Sequence, residues 1–357
     1  MLRGSRLLAA TGLLLLALGA IAETVDPWEV TVPVADRSER ARRAALGDAL
    51  ALALVRLTGS RVAAERADSA AAEPMVRQFR YLEGVNAEGE PEVQLQVTFV
   101  PDAVQELVIR MGETIWPLER GTTVLWVAVE DDGRRRLLGL SPDDEVTLAL
   151  AARTADERAM PLVLPLLDLE DQTMLSAAEI WGGFDDRIRA ASQRYEAEQT
   201  LAGRIAVEWN VLVGRWMLFT GARLVRWENT GETVDDVLRG AMEEAADRLA
   251  IEFGVRPEPM TDAGSRIVVR GVSDPRAFAE VLAYLEALSV VESVQVREVV
   301  GDTVRLQLGL LGDVQALDRA VALGEVLVFE GVAPDGSESY SLRAEPLNAE
   351  AFPIDGG

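Results

Sequence analysis

Asp168, Glu170 and Asp171 are the residues whose types and spacing come closest to a reactive set. Carboxylates this close together can hold Mg²⁺ or Ca²⁺ through oxygen, or share the work of general acid and general base in a hydrolysis. They follow the apolar run Pro161 to Leu166, which reads as a short buried strand, and loops at the carboxyl ends of strands in α/β sheets commonly carry sites. The same composition also makes a solvated acidic loop that caps the next helix. Trp209, Trp216 and Trp227 form a second set. On successive expected strands they offer an aromatic platform for sugar rings or peptide, as peptidoglycan would supply, or they fill the core and pair across the sheet. Arg134, Arg135 and Arg136 make a compact basic spot suited to an acidic partner or a phosphate, or a solvated loop. Asp131, Asp132 and Gly133 read as a turn and lack EF-hand spacing. Ser192 and Tyr195 fall on an expected helix with no base to activate them, and no Gly-x-Ser-x-Gly elbow occurs.

What is missing narrows the chemistry further. The 357 residues contain no His and no Cys, so a Ser-His-Asp triad, a cysteine nucleophile, a disulfide and an ordinary zinc or haem site are excluded. No Lys occurs either; all 35 basic residues are Arg, which removes Schiff-base chemistry and the P-loop lysine. Carboxylates, hydroxyls and guanidinium groups remain. No catalytic residue, metal ligand or cofactor is assigned on this basis.

The 59 acidic residues set the formal net charge at -24. Met1 to Ala22 has the plan of a secretory signal: Arg3 and Arg6, an apolar run from Leu7 to Leu18, and Ala20-Ile21-Ala22 as a cleavage site. The run is short for a hydrocarbon core of ~30 Å, so cleavage is expected in preference to a retained anchor. Losing Arg3 and Arg6 takes the charge from -24 to -26. Such a chain repels phosphate backbones and anionic headgroups, so nucleic acid is not an expected partner, and no stable membrane anchor is expected after cleavage. A saline habitat or a GC-rich genome also selects this acidity.

Periodicity and punctuation divide the remainder into an N-terminal α/β domain over 23–115, a middle α/β domain over 120–257, a C-terminal domain over 264–330 and a flexible tail over 331–357. In the first, Val30, Val32 and Val34 share a strand face. Asp36 with Glu39 opens a helix carrying Leu46, Leu50, Leu54 and Leu57 up to Gly59. A hairpin built around Asn86, Gly89 and Pro91 follows, then a helix from Pro101 to Gly112. In the middle domain, Ser141-Pro142 and Ser176 with Glu179 are helix starts, and Gly182-Gly183 predicts a break between Ile180 and Tyr195. Three strands near 201–209, 215–220 and 222–228 precede a helix from Thr233 with the stripe Val237, Ala241, Ala245, Leu249 and Phe253, ended by Gly254 and Pro257. The third domain reads β-α-β-β-α-β, the ferredoxin-like order. The expected fold class is therefore α/β to α+β: three small domains with mixed or antiparallel sheets covered by helices, the last ferredoxin-like.

The run Ala159-Met-Pro-Leu-Val-Leu-Pro-Leu-Leu-Asp-Leu-Glu-Asp171, with Glu179 to Phe184 and Ala190 to Tyr195, resembles the proteobacterial domain of unknown function 2066 family. Asp36-Arg-Ser38 and the segment Ala45 to Gly59 are similar to that family's opening, and together these residues span most of Glu29 to Phe253. The resemblance implies an exported, gammaproteobacterial setting and brings no activity, ligand or catalytic residue. The order of elements in the middle domain is more distantly similar to periplasmic domains of curli-secretion and penicillin-binding-protein-activator lipoproteins, although this chain has no Cys for a lipid anchor. The expectation is an exported periplasmic protein that acts as a non-enzymatic adaptor or scaffold in cell-envelope assembly, with envelope proteins as partners. The alternatives are a carboxylate-dependent hydrolase or divalent-metal enzyme using the 168–171 loop, and a peptidoglycan-binding module.

Overall fold

The computed structural model describes residues 26–85, 90–131, 133–256, 264–333 and 335–343. The expected signal segment 1–22, Asn86, Gly89, Asp132, Pro257 and positions 344–357 of the expected tail lie outside the described residues. Among the described residues, no helix is long and apolar enough to cross a membrane.

Alternation of apolar and polar side chains makes the first sheet. Val30 and Val32 of β1 (Glu29–Pro33) are buried while their neighbours are exposed. The chain then forms α1 (Glu39–Thr58), the short α2 (Arg61–Arg66), β2 (Val76–Val85), β3 (Pro91–Phe99) and α3 (Pro101–Met111). The order is β1-β3-β2, antiparallel throughout, with Val30 opposite Val97 and Val32 opposite Leu95. Leu46, Leu50, Leu54 and Leu57 of α1 lie in this core. The cap differs from the expected Asp36. Ser38 accepts the Ala41 N–H at 3.2 Å, while Asp36 accepts the Ser38 N–H at 2.7 Å, because the helix begins at Glu39 and only Ser38 is one residue outside it.

The central sheet takes β4 (Thr123–Asp131), β5 (Arg134–Leu137), β6 (Leu162–Val163), β7 (Gln199–Glu208), β8 (Val211–Thr220) and β9 (Arg223–Gly231), in the order β5-β4-β7-β8-β9 with β6 beside the start of β4. β4 runs parallel to β7 and is buried on both faces, hence its unbroken apolar run. One face carries α4 (Glu145–Glu157) and, after β9, α8 (Val234–Phe253), whose Val237, Ala241, Ala245 and Leu249 meet Leu201, Trp216 and Leu218. The segment between β6 and β7 folds as α5 (Leu169–Met174), α6 (Ala177–Gly182) and α7 (Asp185–Ser192). Ile180 and Ile188 cover Trp126, Met217 and Phe219 on the opposite face. The expected break between helices falls at Gly183, whose φ of 66° suits glycine. The strand expected from Pro161 to Leu166 shrinks to two residues because Pro161 and Pro165 have no N–H to donate to a ladder. The strand expected to reach Trp209 stops at Glu208, and Trp209 and Asn210, with φ of 50° and 70°, make the hairpin turn.

The third sheet holds β10 (Ser265–Arg270), β11 (Val291–Val300), β12 (Thr303–Leu310), β13 (Leu327–Val332) and β14 (Glu338–Leu342), covered by α9 (Pro275–Ala287) and α10 (Val314–Leu323). The β-α-β-β-α-β order is present, with β14 inserted between β10 and β13 and parallel to β10. This corrects the expected loose tail from residue 331. Tyr340 is fully buried there, and its hydroxyl donates to Asp318 Oδ1 at 2.5 Å, so the segment does bring a core side chain. The whole is α+β, with mixed and antiparallel sheets backed by helices.

The three sheets meet around the segment Ile115 to Gly121. Ile115 bridges Val255, and Glu119 accepts the Ser289 N–H at 2.8 Å and its hydroxyl at 2.5 Å. Arg120 lies 3.9 Å over the Trp116 ring and donates to five carbonyls: Pro117, Arg158, Ala159, Arg56 and Trp116. Burial pushes this guanidinium down to about 9, with Arg158 and Arg56 adding repulsion, so it is still a cation at neutral pH.

Candidate functional site

The acidic run after the Pro-flanked segment folds as a helix start. Asp168 is the N-cap of α5 and accepts the Asp171 N–H at 3.0 Å. It also receives Arg194 through both oxygens, each at 2.7 Å. Asp171 is 1% exposed; its oxygens take Arg194 Nη1 at 2.8 Å, the Leu167 N–H at 2.8 Å and the Tyr195 hydroxyl. Glu170 is exposed, 3.6 Å from Arg194. Hydrogen bonds from Arg194 and the Asp171 N–H hold the Asp168 carboxyl well below the usual carboxylate range. Burial, with the bond it donates to Asp171, pushes the Tyr195 hydroxyl up to about 12.

This arrangement locks 166–171 onto the end of α7 with the acids already engaged. It does not present the three carboxylates together to a cation, and among the described residues no group of three or more acidic side chains is placed to hold a metal ion. Asp168 has no proton to give near neutral pH, as a general acid would need.

The three tryptophans do not make a shared platform, which corrects that expectation. Trp216 and Trp227 are directly opposite on β8 and β9, and both pack beneath α8. Trp216 is 1% exposed and donates to Asn229 Oδ1 at 2.8 Å. Trp209 stands alone at the hairpin turn, 99% exposed. Strand alternation is the reason: Trp216 and Trp227 share the helix-covered face, and Trp209 has left the strand.

Alternation also divides the basic spot, whose residues form β5 rather than a loop. Arg136 closes on Asp144 at 2.5 and 2.9 Å, whereas Arg135 turns the other way and lies 4.2 Å from the Trp181 ring centre. Trp181 is sandwiched, since Arg204 lies 5.3 Å from the same ring.

Here the structure assembles a site of whose lining the sequence had singled out for binding only Trp216 and Trp227. α6 ends beside β7 to β9, leaving a cleft of about 590 Å³ whose lining includes Trp181, Arg204, Arg215, Met217, Arg226 and Glu228. Arg204 and Arg215 are directly opposite in the β7–β8 ladder, and Arg226 is opposite Met217 in the next strand. Like charges opposed across a ladder are destabilising. They are offset in part: Arg215 bonds Glu208, with its second nitrogen at 2.8 Å, and meets Glu228 at 2.9 Å, and Arg226 meets Asp185 at 3.0 Å. These carboxylates raise the Arg215 guanidinium above its ordinary value, the Glu208 hydrogen bond first among them. Arg204 donates to the Trp181 carbonyl and forms no ion pair among the described residues.

Guanidinium groups beside an indole face supply bidentate recognition of carboxylates or phosphates and stacking for planar groups. The signal available in the sequence was the spacing of Arg204, Arg215 and Arg226, eleven residues apart each time, which a three-strand meander brings side by side.

The fold and this cleft define an α+β protein with an arginine- and tryptophan-lined cleft in an acidic chain. A family model described as a domain of unknown function (DUF8605) matches residues 22–117, the segment that contains the first sheet and its helices. A search of curated proteins finds no match to the chain.

Proposed function

We propose that this chain is an exported periplasmic protein, a non-enzymatic adaptor in cell-envelope assembly, and that its arginine cleft receives an acidic segment of a partner protein. The observation that carries the reading is Arg204, opposite Arg215 in the ladder and beside Trp181, without a carboxylate of its own among the described residues. In a chain of net charge -24, three strand arginines gather on one open face; Arg215 and Arg226 have carboxylates beside them, and an incoming anion would supply the one Arg204 lacks. A peptide carboxylate fits the Arg204 guanidinium, which has no carboxylate partner among the described residues, and an adjacent planar or apolar side chain fits Trp181 and Met217. The signal-like segment Met1 to Ala22 and the resemblance of Glu29 to Phe253 to the proteobacterial domain of unknown function 2066 family support the exported setting.

The test is in-cell crosslinking of the tagged protein with mass spectrometry of what is attached, run beside the double variant Arg204→Glu, Arg215→Glu and an unrelated periplasmic control. A dominant envelope protein recovered by the native chain and lost by the variant is the expected result. Recovery of no reproducible partner, or equal recovery by the folded variant, would overturn the proposal.

A further inference from the structure

A second cavity lies between the central unit and α10, beside the segment from Trp116 to Gly121, about 390 Å³ in volume and separate from the arginine cleft. Its walls come from elements far apart in the chain: Trp116 and Pro117 between the first and central sheets, Leu249 and Phe253 at the end of α8, and Ala320 and Leu323 on α10. The volume falls in the range of small-molecule sites, and the lining is chiefly apolar.

The charged groups on its margin are committed, with one exception. All five Arg120 donors go to carbonyls, and its stacking on Trp116 holds that wall rigid. Glu119 holds Ser289, and Glu198 accepts the Thr122 N–H at 2.6 Å. Arg319 on α10 lines the cavity, is half-buried, and makes no hydrogen bond or ion pair among the described residues. A guanidinium that has lost part of its hydration without gaining a partner calls for an anion. An apolar chamber beside it calls for a hydrocarbon chain, since apolar cavities take up apolar guests more readily than water.

We propose that this cavity binds an amphiphile with a single anionic head, of the medium-chain fatty-acid class. The acyl chain lies between Trp116, Leu249, Phe253 and Leu323, and the carboxylate meets Arg319. The wall is shared by the end of α8 and by α10, so the bound chain also fastens the third unit to the central one.

The test is calorimetric titration of the full chain with decanoate, decanol and decyltrimethylammonium, which share a tail and differ in the head. Decanoate is expected to bind most tightly, and octanoate about tenfold more weakly for two fewer buried methylenes. Arg319→Gln should weaken decanoate by about fivefold to tenfold and leave decanol unchanged. Ala322→Trp, at an exposed lining position, should block both without touching the core. Failure of decanoate to bind at millimolar concentration, equal binding of the cationic amphiphile, or equal weakening of decanoate and decanol by Arg319→Gln would each overturn the proposal. Neither variant lies in the arginine cleft, so the partner-capture result and this one succeed or fail separately.

Discussion

Replacing Arg120 by Met removes five donors at once and retains a side chain of similar length. Three of the acceptors, the carbonyls of Arg56, Arg158 and Ala159, lie 64, 38 and 39 residues away in sequence, at 2.6, 3.1 and 2.7 Å. A buried carbonyl left without a donor costs ~1–3 kcal/mol. The lower end applies here, because losing the cation also removes its own desolvation and its repulsion by Arg56 and Arg158. Three acceptors at about 1 kcal/mol each give a loss of roughly 3 kcal/mol, a large fraction of the ~5–15 kcal/mol that holds a typical domain folded. Urea unfolding followed by tryptophan fluorescence and far-ultraviolet circular dichroism measures it, with Trp116 directly beneath the lost guanidinium as a local reporter. With a slope of ~1–3 kcal/mol per molar, the midpoint should fall by at least about 1 M. Arg120→Lys keeps the charge but offers three donors at a point instead of five in a fork, and it should fall between the two. An unchanged or raised midpoint for Arg120→Met would refute the argument, showing that the hydrogen bonds do no more than offset the cost of burying the charge.

Gly203→Ala places a methyl carbon 2.1 Å from a ring carbon of the buried Trp216, and should cost about 1–3 kcal/mol, read from the urea midpoint and a shift in tryptophan emission. Tyr195 is pushed up to about 12 by burial and its bond to Asp171, and burial raises Tyr284 and Tyr340 as well. The folded chain thus keeps protons that the unfolded chain releases from about pH 10 upward. Absorbance at the tyrosinate band between about pH 10 and 11 should rise much less in native than in urea-unfolded protein, and stability should fall as pH climbs through that window. Replacing Trp209-Asn210 by Asn-Gly should raise thermal stability by about 1 kcal/mol, since both positions are left-handed and Trp209 buries nothing; thermal melting checks it.

Much of the fold was legible because its signals are local. The capping pairs Ser176 with Glu179 and Thr233 with Asp236 act within four residues, and each helix begins where they stand. The stripe of α8 and the alternation in β1 and β3 needed only their own periods. The errors are also physical. Asp36 lost the cap to Ser38 over two residues, Pro161 and Pro165 shortened a strand, and Glu338 to Leu342 entered a sheet because the tyrosine at its centre found a core. The acidic run Asp168 to Asp171 opens α5, and its partner Arg194 lies 26 residues on from Asp168; nothing in the local composition indicates that this guanidinium folds back onto Asp168.

The amino-acid sequence alone determined the restricted chemistry of this protein: no imidazole, thiol or amine side chain, an excess of carboxylates, and Arg as the only side-chain cation. It also determined most of the order of helices and strands, β5 and β14 excepted, since propensity, capping and periodicity act over a few residues. Only the tertiary structure decided which charges became structural and which stayed available. Arg136, Arg194 and Arg120 were consumed by acceptors brought from other elements, while Arg204 and Arg319 were left without a carboxylate. That difference depends on strand order, register and the faces on which side chains emerge, and these follow from burying apolar surface across the whole chain.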